Sequence, residues 1–565
     1  MKLNKEIYIK YFKKNRKGLL LLILIIGMGT IVSGINPYVY GKIVDSISDK
    51  NVYSLKKWLL LFGTILIVTL ILESIESLVG NWLTNITENQ MKLNLFGHIF
   101  SIKCKKIDIY ETGELFNKIE FDIENIVSYY LDCMTSILMI VVNLGISVYF
   151  ILNISKSLAG ITFITIPMLY FINFIFQKKV YMMNQKIRIF TDKYYSFLNE
   201  SLSEVIQIKA FGLENIVSQR YKEYLKERLR ILLKKEVLLQ KIGFIRGGSG
   251  NIINVIILFI AGMSIVAGNM TIGMLVSFCS YMEKFFEALS KIMELNLNKQ
   301  EVVVSYERMN EILNSEKEEN NGIILKEPIQ KIQFRQVIFG YKDNLVLKKI
   351  DLSIENPGLY SLVGSNGCGK STIFKLLERF YECKVGKIEI NQVPINKYSA
   401  SDLRNNIVYM PKKPFFLQGT IMDNLKLGQN EISDLEVIEV CKKVGIHSDI
   451  QKLEKGYYEL IESGGENFSS GQKQKLGFVR VLLKKADIVL LDEVTSDLDG
   501  EAERQICNQI EEIAKKAIVL NIAHKPESIR RSKKVFFIQG GKIVAEGTHK
   551  ALMKNCVDYK KIFAN

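Results

Sequence analysis

The distribution of hydrophobic positions divides the chain into two parts. Six long apolar runs lie in the first part, at approximately 18–45, 57–83, 126–152, 157–177, 243–267 and 271–296. About 20 helical residues cross the hydrocarbon core of a bilayer. The pattern therefore predicts six transmembrane helices.

The connections between these runs alternate between two kinds. The short ones carry no basic cluster and lie at 46–53, 153–156 and 268–271. The long ones are helix-like and rich in lysine and arginine, as at Lys105, Lys178 and Arg228. Basic residues concentrate on the cytoplasmic side of membranes. We expect a multi-pass protein of the cell membrane with cytoplasmic helical extensions and with both termini in the cytosol.

The second part of the chain has a different pattern. Residues 314–328 are polar and read as a solvated linker. Short β-rich runs such as 358–363 and 488–491 then alternate with helical segments, which is typical of an α/β domain. The predicted fold class is multi-domain, with an all-α six-helix transmembrane domain at 1–313, the linker at 314–328 and an α/β P-loop domain at 329–565.

Charge and cysteine content narrow the class of protein. The formal net charge is +16, but lysine and arginine cluster beside the apolar runs, which favours a lipid bilayer and not a nucleic acid as the partner. The eight cysteines form no C-x-x-C pair, so neither a disulfide framework nor a zinc site is indicated. The composition, rich in Lys, Ile and Asn, favours a bacterial plasma membrane.

A glycine-rich segment follows an apolar strand and opens a helix, which is the context of a phosphate-binding loop. In such a loop the backbone amides hold the phosphates, while Lys370 reaches the β- and γ-phosphate oxygens and Ser371 holds Mg2+. The candidate nucleotide-binding residues are Gly364, Ser365, Asn366, Gly367, Cys368, Gly369, Lys370, Ser371 and Thr372.

A second apolar strand, 488–491, ends in two carboxylates. Asp492 can bind the magnesium shell, and Glu493 can polarise an attacking water molecule. A capped strand end is the alternative interpretation, but the phosphate loop upstream favours a catalytic pair.

With these motifs in place, nearly the whole chain resembles the ATP-binding cassette transporters, in the exporter type whose halves each carry six helices and one cassette. The resemblance implies a second half-transporter as partner, ATP and Mg2+ as cofactors, and outward transport of a substrate by alternating access. It assigns Tyr341 to adenine stacking and His524 to the γ-phosphate. The family signature, 468–472, implies that Ser469, Gly471 and Gln472 complete the ATP site of the opposite cassette, and Asp499 matches the loop that communicates between the two sites.

Two further segments match the family's coupling elements. Residues 207–214 resemble a coupling helix, with Phe211 as the apolar side chain that docks in the partner's cassette. Residues 459–462 resemble the segment through which exporters sense the transmembrane domain, and Glu462 is its candidate acidic residue. By strict count the family's glutamate falls on Ser463.

Two positions depart from the family pattern. Lys412 stands where the family usually places a glutamine that contacts magnesium and the lytic water, and a cation there repels the metal unless it swings away. Ser470 replaces a signature glycine. These departures keep two alternatives open: a self-sufficient homodimer, or a regulatory, slowly hydrolysing half of a heterodimer. An importer is disfavoured, because importers of this superfamily usually carry the two domains on separate chains.

Ionisable residues inside membrane helices tend to face a cavity or each other. Glu73 and Glu76 in the second run, and Glu283 and Glu287 in the sixth, are candidates for an acidic substrate cavity that favours a cationic substrate. The alternative is an i, i+4 pair of Glu287 with Lys291, with the others in water-filled vestibules. No peptidase-like segment precedes the first run, so we expect no leader cleavage; peptide, drug and lipid substrates all stay open.

Overall fold

The computed structural model describes residues 11, 14–110, 112–342, 344–427, 429 and 431–563. The chain forms two compact units. As far as it is described, the first comprises Met1–Phe100 and Glu111–Asn314, and the second comprises Ser101–Tyr110 and Ser315–Asn565. The short segment 101–110 thus packs with the second unit, although it lies between two long helices of the first.

The described part of the first unit is helical. Its helices are α1 (Arg16–Ser48), α2 (Val52–Ile99), α4 (Thr112–Asn117), α5 (Ile123–Ile154), α6 (Lys156–Ser203), α7 (Val205–Ala210), α8 (Glu214–Val266) and α9 (Ile272–Leu313), while α3 (Cys104–Ile107) belongs to the second unit. A π-helical turn, Lys118–Asp122, joins α4 to α5. Six long helices result among the described residues, and each covers all or nearly all of one predicted apolar run.

Length and composition agree with membrane insertion. Within the described residues, four helices contain a stretch long and apolar enough to cross a membrane: α1, α2, the joined α4–α5 and α8. The helices after the short connections begin with polar caps, because Asn51, Ser155 and Thr271 each accept a hydrogen bond from a backbone N–H three residues on.

Helices α1 and α9 pack closely because both carry small residues at their contact. A Cβ on Gly41 would overlap Ser277 Oγ, and Asp45 Oδ1 accepts a hydrogen bond from Gly273 N over 2.8 Å. Pro37 has no N–H to bond the carbonyl of Ser33. Lys284 Nζ, 2.7 Å from the Ser33 carbonyl oxygen, donates to it instead.

Two larger β-sheets organise the second unit. The strands are β1 (Lys331–Tyr341), β2 (Asn344–Glu355), β3 (Gly358–Gly364), β4 (Val385–Ile390), β5 (Val393–Pro394), β6 (Ile407–Met410), β7 (Gly419–Thr420), β8 (Leu460–Ile461), β9 (Ile488–Asp492), β10 (Ile518–Ile522), β11 (Lys534–Gln539) and β12 (Lys542–Gly547). The central sheet has the order β12-β11-β3-β10-β9-β6, and only β12 is antiparallel to its neighbour. The second sheet, β2-β1-β4-β5, is antiparallel, and β7 pairs with β8.

The central sheet is buried on both faces, since every residue of β9 and β10 is buried. This explains why these strands are almost continuously apolar in sequence. The surrounding helices are α10 (Lys370–Leu377), α11 (Ala400–Asn406), α12 (Ile421–Lys426), α13 (Asp434–Val444), α14 (His447–Gln451), α15 (Ser470–Lys484), α16 (Gly500–Ala514), α17 (Pro526–Arg530), α18 (His549–Asn555) and α19 (Val557–Ile562). The observed architecture is the predicted one, a helical transmembrane domain followed by a sheet-containing domain.

The segment after α9 is largely exposed, but two contacts bind it to the rest of the second unit. Glu318 forms a bidentate pair with Arg404, with Nη–Oε distances of 2.7 and 2.8 Å, and the Glu318 side chain is only 11% exposed. Leu325 N donates to Asp402 Oδ2 over 2.6 Å. The polar residues of this segment therefore bind it to the second unit, because their charged partners lie in α11.

Candidate functional site

The phosphate loop connects the end of β3 to the start of α10, as the sequence predicts. Its backbone requires glycine: Gly367 and Gly369 have φ of +78° and +104°, in the left-handed region that other residues rarely adopt. A Cβ on Gly364 would lie 2.8 Å from Cys368 Sγ. Ser365, Asn366 and Gly367 are exposed, so the loop presents its backbone to solvent.

Lys370 lies across this loop. Its Nζ donates to the carbonyl oxygens of Gly364 and Ser365 over 2.7 and 3.0 Å. The ammonium is thus held at the place where the phosphates of a nucleotide are expected. Cys368 is buried beside it, and burial raises the pKa of its thiol. Thr372 is also buried, at the start of α10.

Asp492 ends β9 and accepts a hydrogen bond from a tyrosine. Tyr409, near the end of β6, donates to Asp492 Oδ2 over 3.3 Å, and the neighbouring Ser371 hydroxyl favours the charged form of the carboxyl. Burial raises the pKa of Asp492. The sequence analysis missed Tyr409, although the carboxyl ends of parallel strands meet at one edge of a sheet.

The donor set of Asp492 and Ser371 fits Mg2+, which prefers hard oxygen ligands and keeps several waters and substrate phosphates. Within the described residues, no group of three or more His, Cys, Asp or Glu side chains is arranged to hold a metal ion. The protein contributes one carboxylate and one hydroxyl here, so such an ion depends on the nucleotide for its remaining ligands.

Glu493 follows directly and is held in an unusual backbone conformation. Its φ is +53°, and its N–H donates to the Ile522 carbonyl oxygen over 3.0 Å. The parallel pairing of Asp492 with Ile522 brings His524 beside it, and His524 Nε2 lies 3.1 Å from Glu493 Oε1. The two predicted catalytic residues are therefore adjacent.

Lys412 completes this group. Its Nζ is 2.5 Å from Glu493 Oε2. Burial favours a higher pKa for Glu493, but Lys412, His524 and Lys370 together outweigh it and lower the pKa of the carboxyl. The hydrogen bond with Glu493 in turn raises the pKa of Lys412. In this structure the lysine points to the carboxylate.

Tyr341 ends β1 and is half-buried. Its ring makes edge contacts with Phe339 and Tyr381, at centroid distances of 5.1 and 5.2 Å. The Lys375 ammonium lies 5.4 Å from the Tyr341 ring centroid. The ring is therefore fixed by neighbouring aromatic residues next to the helix that follows the phosphate loop.

The signature residues begin α15. Ser469 Oγ accepts from Gln472 N over 3.2 Å, and Gln472 Oε1 accepts from Ser469 N over 3.0 Å, which is a capping box. Gly471 lies against the backbone of Asp497, where a Cβ would be 3.2 Å from its carbonyl oxygen. Ser470 is exposed and has no positive φ. The serine therefore fits its own chain without strain.

Three residues outside the predicted site connect its loops. Gln474 of α15 donates to Ser496 Oγ over 3.1 Å and accepts from Asp497 N over 3.3 Å. Lys525 Nζ donates to the Thr495 carbonyl oxygen over 2.8 Å. Arg480 donates to the Phe415 carbonyl oxygen over 2.5 Å and stacks on Phe416. No sequence motif marked them, because their role depends on contacts between distant segments.

Asp499 ends the loop that the family resemblance assigns to communication between the two ATP sites. Its Oδ1 accepts a hydrogen bond from Ala502 N over 2.8 Å and caps α16. The two predicted coupling residues belong to different units. Phe211 directly follows α7 and is 77% exposed, beside Gly212 at φ +64°. Glu462 is exposed, and its N–H donates to Asn467 Oδ1 over 3.3 Å; the side chain of Ser463 lies outside the described residues.

The four glutamates that the sequence places in a substrate cavity have different surroundings. Glu73, Glu283 and Glu287 are exposed on their helices, and Glu76 is half-buried. The alternative pair of Glu287 with Lys291 is not formed. Lys291 instead lies 3.7 Å from Asp132 Oδ1 and 3.3 Å from Glu294 Oε2.

Comparison with known families now complements this geometry. Long apolar helices joined to a P-loop domain define a membrane-embedded nucleotide-binding protein. A family model described as ABC transporter transmembrane region matches residues 19–289, and one described as ABC transporter matches residues 347–496. The chain belongs to the ATP-binding cassette transporters, of the export type that carries a membrane region and a nucleotide-binding domain in one chain.

Individual relatives agree with this assignment. The uncharacterized ABC transporter ATP-binding protein YfiC of Bacillus subtilis is 28% identical over 575 residues, covering 97% of this chain and 92% of the relative. An ATP-dependent lipid A-core flippase of Syntrophus aciditrophicus is 27% identical, covering 80% of this chain and 76% of the relative. A solved structure of a bacterial Atm1-family ABC exporter with ATP bound is similar in fold, with a TM-score of 0.88, 21% identity and coverage of 97% and 98% of the two chains. The chain is thus a multi-pass membrane protein and an ATPase coupled to transport.

Proposed function

We propose that this chain exports an amphipathic, cationic substrate by alternating access, as half of a dimer in a bacterial plasma membrane, with its cassette and both termini in the cytosol. The observation that carries the hydrolytic part is the position of Glu493 between Asp492 and His524, at the ends of neighbouring parallel strands. Asp492 and Ser371 would hold Mg2+ together with the nucleotide's phosphates, and the ion would neutralise phosphate charge. Glu493 polarises the attacking water, and His524 contacts the γ-phosphate.

This proposal requires a dimer, because each ATP site combines the phosphate loop of one cassette with the signature residues of the other. The phosphate loop exposes its backbone, and Ser469 and Gln472 satisfy each other at the start of α15. Gly471 and the exposed Ser470 leave the beginning of α15 open to a second cassette. Phe211 is strongly exposed, which supports its role as an apolar contact of the partner's cassette. The geometry within this chain is compatible with both a homodimer and a heterodimer.

The acidic membrane residues support the cationic substrate. Glu283 and Glu287 lie one turn apart on α9 with exposed side chains, while Lys284 between them donates to the Ser33 carbonyl oxygen of α1. A carboxylate in a membrane helix is costly unless it faces water or a cation. The flippase relative, whose name denotes a lipid substrate, supports the amphipathic part.

Transport by vesicles tests the substrate. Inside-out vesicles with the wild-type chain should take up amphipathic cations upon ATP addition, and Glu283→Gln with Glu287→Gln should abolish that uptake. Lys291→Gln is a matched control outside the proposed cavity. Unchanged uptake of every cation by the double variant would contradict the cationic assignment and leave the hydrolytic assignment intact.

A second candidate function is favoured by one contact. If Lys412 stays on Glu493 throughout, this chain is the regulatory half of a heterodimer and its own Walker residues bind ATP without appreciable hydrolysis. ATP hydrolysis by the purified chain separates the two functions: Glu493-dependent turnover supports the active exporter, and tight ATP binding without turnover supports the regulatory half.

A further inference from the structure

The oxygen atoms of Glu493 are both engaged in this structure. Lys412 Nζ is 2.5 Å from Oε2, and His524 Nε2 is 3.1 Å from Oε1. A water molecule that Glu493 polarises must bind at one of these two oxygens. His524 belongs to the proposed site, whereas Lys412 occupies Oε2 with a group that donates protons and accepts none.

Lys412 is held by charge and not by packing. Its side chain is 56% exposed, whereas that of Glu493 is 17% exposed. Exposed ion pairs are weak and are screened by salt. Glu493, in contrast, is fixed by its left-handed φ and by the bond from its N–H to Ile522. The lysine is therefore the member of the pair that can leave.

The loop on both sides of Lys412 is anchored to different elements. Met410 is buried in β6 and pairs with Leu491 of β9. On the other side Pro414 lies against α15, since a Cβ on Gly477 would be 2.8 Å from its Cγ. The loop that carries Lys412 thus connects the central sheet to the signature helix α15. A shift of one of these elements relative to the other would displace Lys412.

The direction of the ammonium distinguishes two roles. A lysine that stabilises phosphate charge would lie at the phosphate loop, as Lys370 does. Lys412 instead contacts Oε2 of the Glu493 carboxylate, while His524 Nε2 contacts Oε1. The ammonium therefore occupies an oxygen at which a water molecule would have to bind.

We propose that Lys412 is a positioning residue that acts as a catch on Glu493, occupying its Oε2 and keeping this cassette slow until the lysine moves away. The inference rests on the proposed catalytic role of Glu493. A glutamine at this position cannot form the ion pair, so the departure from the family pattern sets the rate of hydrolysis.

The test compares steady-state ATP hydrolysis by the full chain in lipid nanodiscs. Lys412→Gln should raise kcat by about tenfold, with KM unchanged within about twofold. Lys412→Arg keeps the charge and should stay near the wild-type rate. Lys413→Gln, which removes the neighbouring exposed lysine, is the matched control and should also stay near wild type.

A chemical readout tests the contact itself. Acetic anhydride labels free amines, and mass spectrometry quantifies each lysine. Lys412 should be labelled more slowly than Lys413 in the wild-type chain, and Glu493→Gln should bring its rate to that of Lys413. Equal labelling of both lysines in the wild type would show that the pair is absent, and would overturn the inference.

The remaining outcomes separate the catch from the proposed function. Glu493-dependent hydrolysis in the wild type that stays equal or falls in Lys412→Gln overturns the catch alone. Hydrolysis in neither chain, although both bind radiolabelled ATP, overturns the catch and also the proposal that this chain hydrolyses ATP by itself. A rise in Lys412→Gln that a second change, Glu493→Gln, abolishes supports both.

Discussion

Tyr409 donates a hydrogen bond from its hydroxyl group to Asp492 Oδ2 over 3.3 Å. Its ring packs edge-on against Phe374 of α10, with centroids 5.9 Å apart. Tyr409 pairs with Leu490 in the parallel contact of β6 with β9, so its side chain reaches the end of β9. The hydroxyl therefore fixes the orientation of the proposed magnesium ligand.

Tyr409→Phe should retain the ring packing and lose this bond. We expect kcat for ATP hydrolysis to fall by roughly three- to tenfold, or about 0.6–1.4 kcal/mol, which is the net contribution of one hydrogen bond of ordinary strength. The measurement is steady-state hydrolysis in nanodiscs. Tyr398→Phe is the control, because the Tyr398 hydroxyl donates to the Ile390 carbonyl oxygen in the second sheet. Wild-type kcat in Tyr409→Phe would contradict the positioning role.

Glu378, at the end of α10, gives a pH-dependent stability. Burial raises its pKa to about 7, although Lys484 and Arg404 oppose the shift. The unfolded group titrates near 4.5. Between these pH values the folded state keeps a proton on Glu378 that the unfolded state loses. The contribution of Glu378 to the free energy of unfolding is therefore fully present below pH 4.5 and is lost as the pH rises to 7. The loss amounts to about 3 kcal/mol.

Glu378→Gln removes this contribution. The apparent Tm of the cassette transition, followed by calorimetry of the full chain at pH 5 and pH 8, should change less in this variant than in the wild type. Glu454→Gln alters an exposed carboxyl and should behave like the wild type. An identical pH response in Glu378→Gln would show that another group causes it.

The contact of α1 with α9 predicts the effect of one methyl group. A Cβ on Gly41 would overlap Ser277 Oγ and lie 2.5 Å from the Gly273 carbonyl oxygen. We expect Gly41→Ala to cost about 1–3 kcal/mol by overpacking and to lower the apparent Tm of the membrane domain by several degrees. A Cβ on Gly63 of α2 meets nothing within 4 Å, so Gly63→Ala should leave this Tm unchanged. Equal Tm values for the two variants would contradict close packing at Gly41.

Hydrophobic runs and glycine motifs predicted the architecture, because they can be read along the chain without knowledge of tertiary contacts. The six apolar runs fall in six long helices, and the Gly364–Thr372 segment lies between β3 and α10 because its glycines fit only a tight turn before a helix. The composition of residues 314–328 indicates a polar segment, and most of its residues are exposed. Composition does not show that Glu318 has Arg404 as a partner.

Motifs predicted which residues of the candidate site lie close together, but they did not predict contacts between distant segments. Asp492, Glu493 and His524 occupy strand ends, so sequence alone indicates that they lie close together. Gln474, Arg480 and Lys525 act through contacts to loops far along the chain. Lys412 was identified as a departure from the family pattern, but its contact with Glu493 depends on the path of the loop after β6.

The most direct test is ATP hydrolysis by the purified chain in lipid nanodiscs, measured beside Glu493→Gln with ATP binding quantified in both. The predicted result is Mg2+-dependent turnover by the wild type that falls by about 100-fold or more in the variant, while ATP binding persists. Turnover that is equal in the two chains, or absent from a wild-type chain that binds ATP, would contradict the assignment of Glu493 as the catalytic base of a self-sufficient exporter.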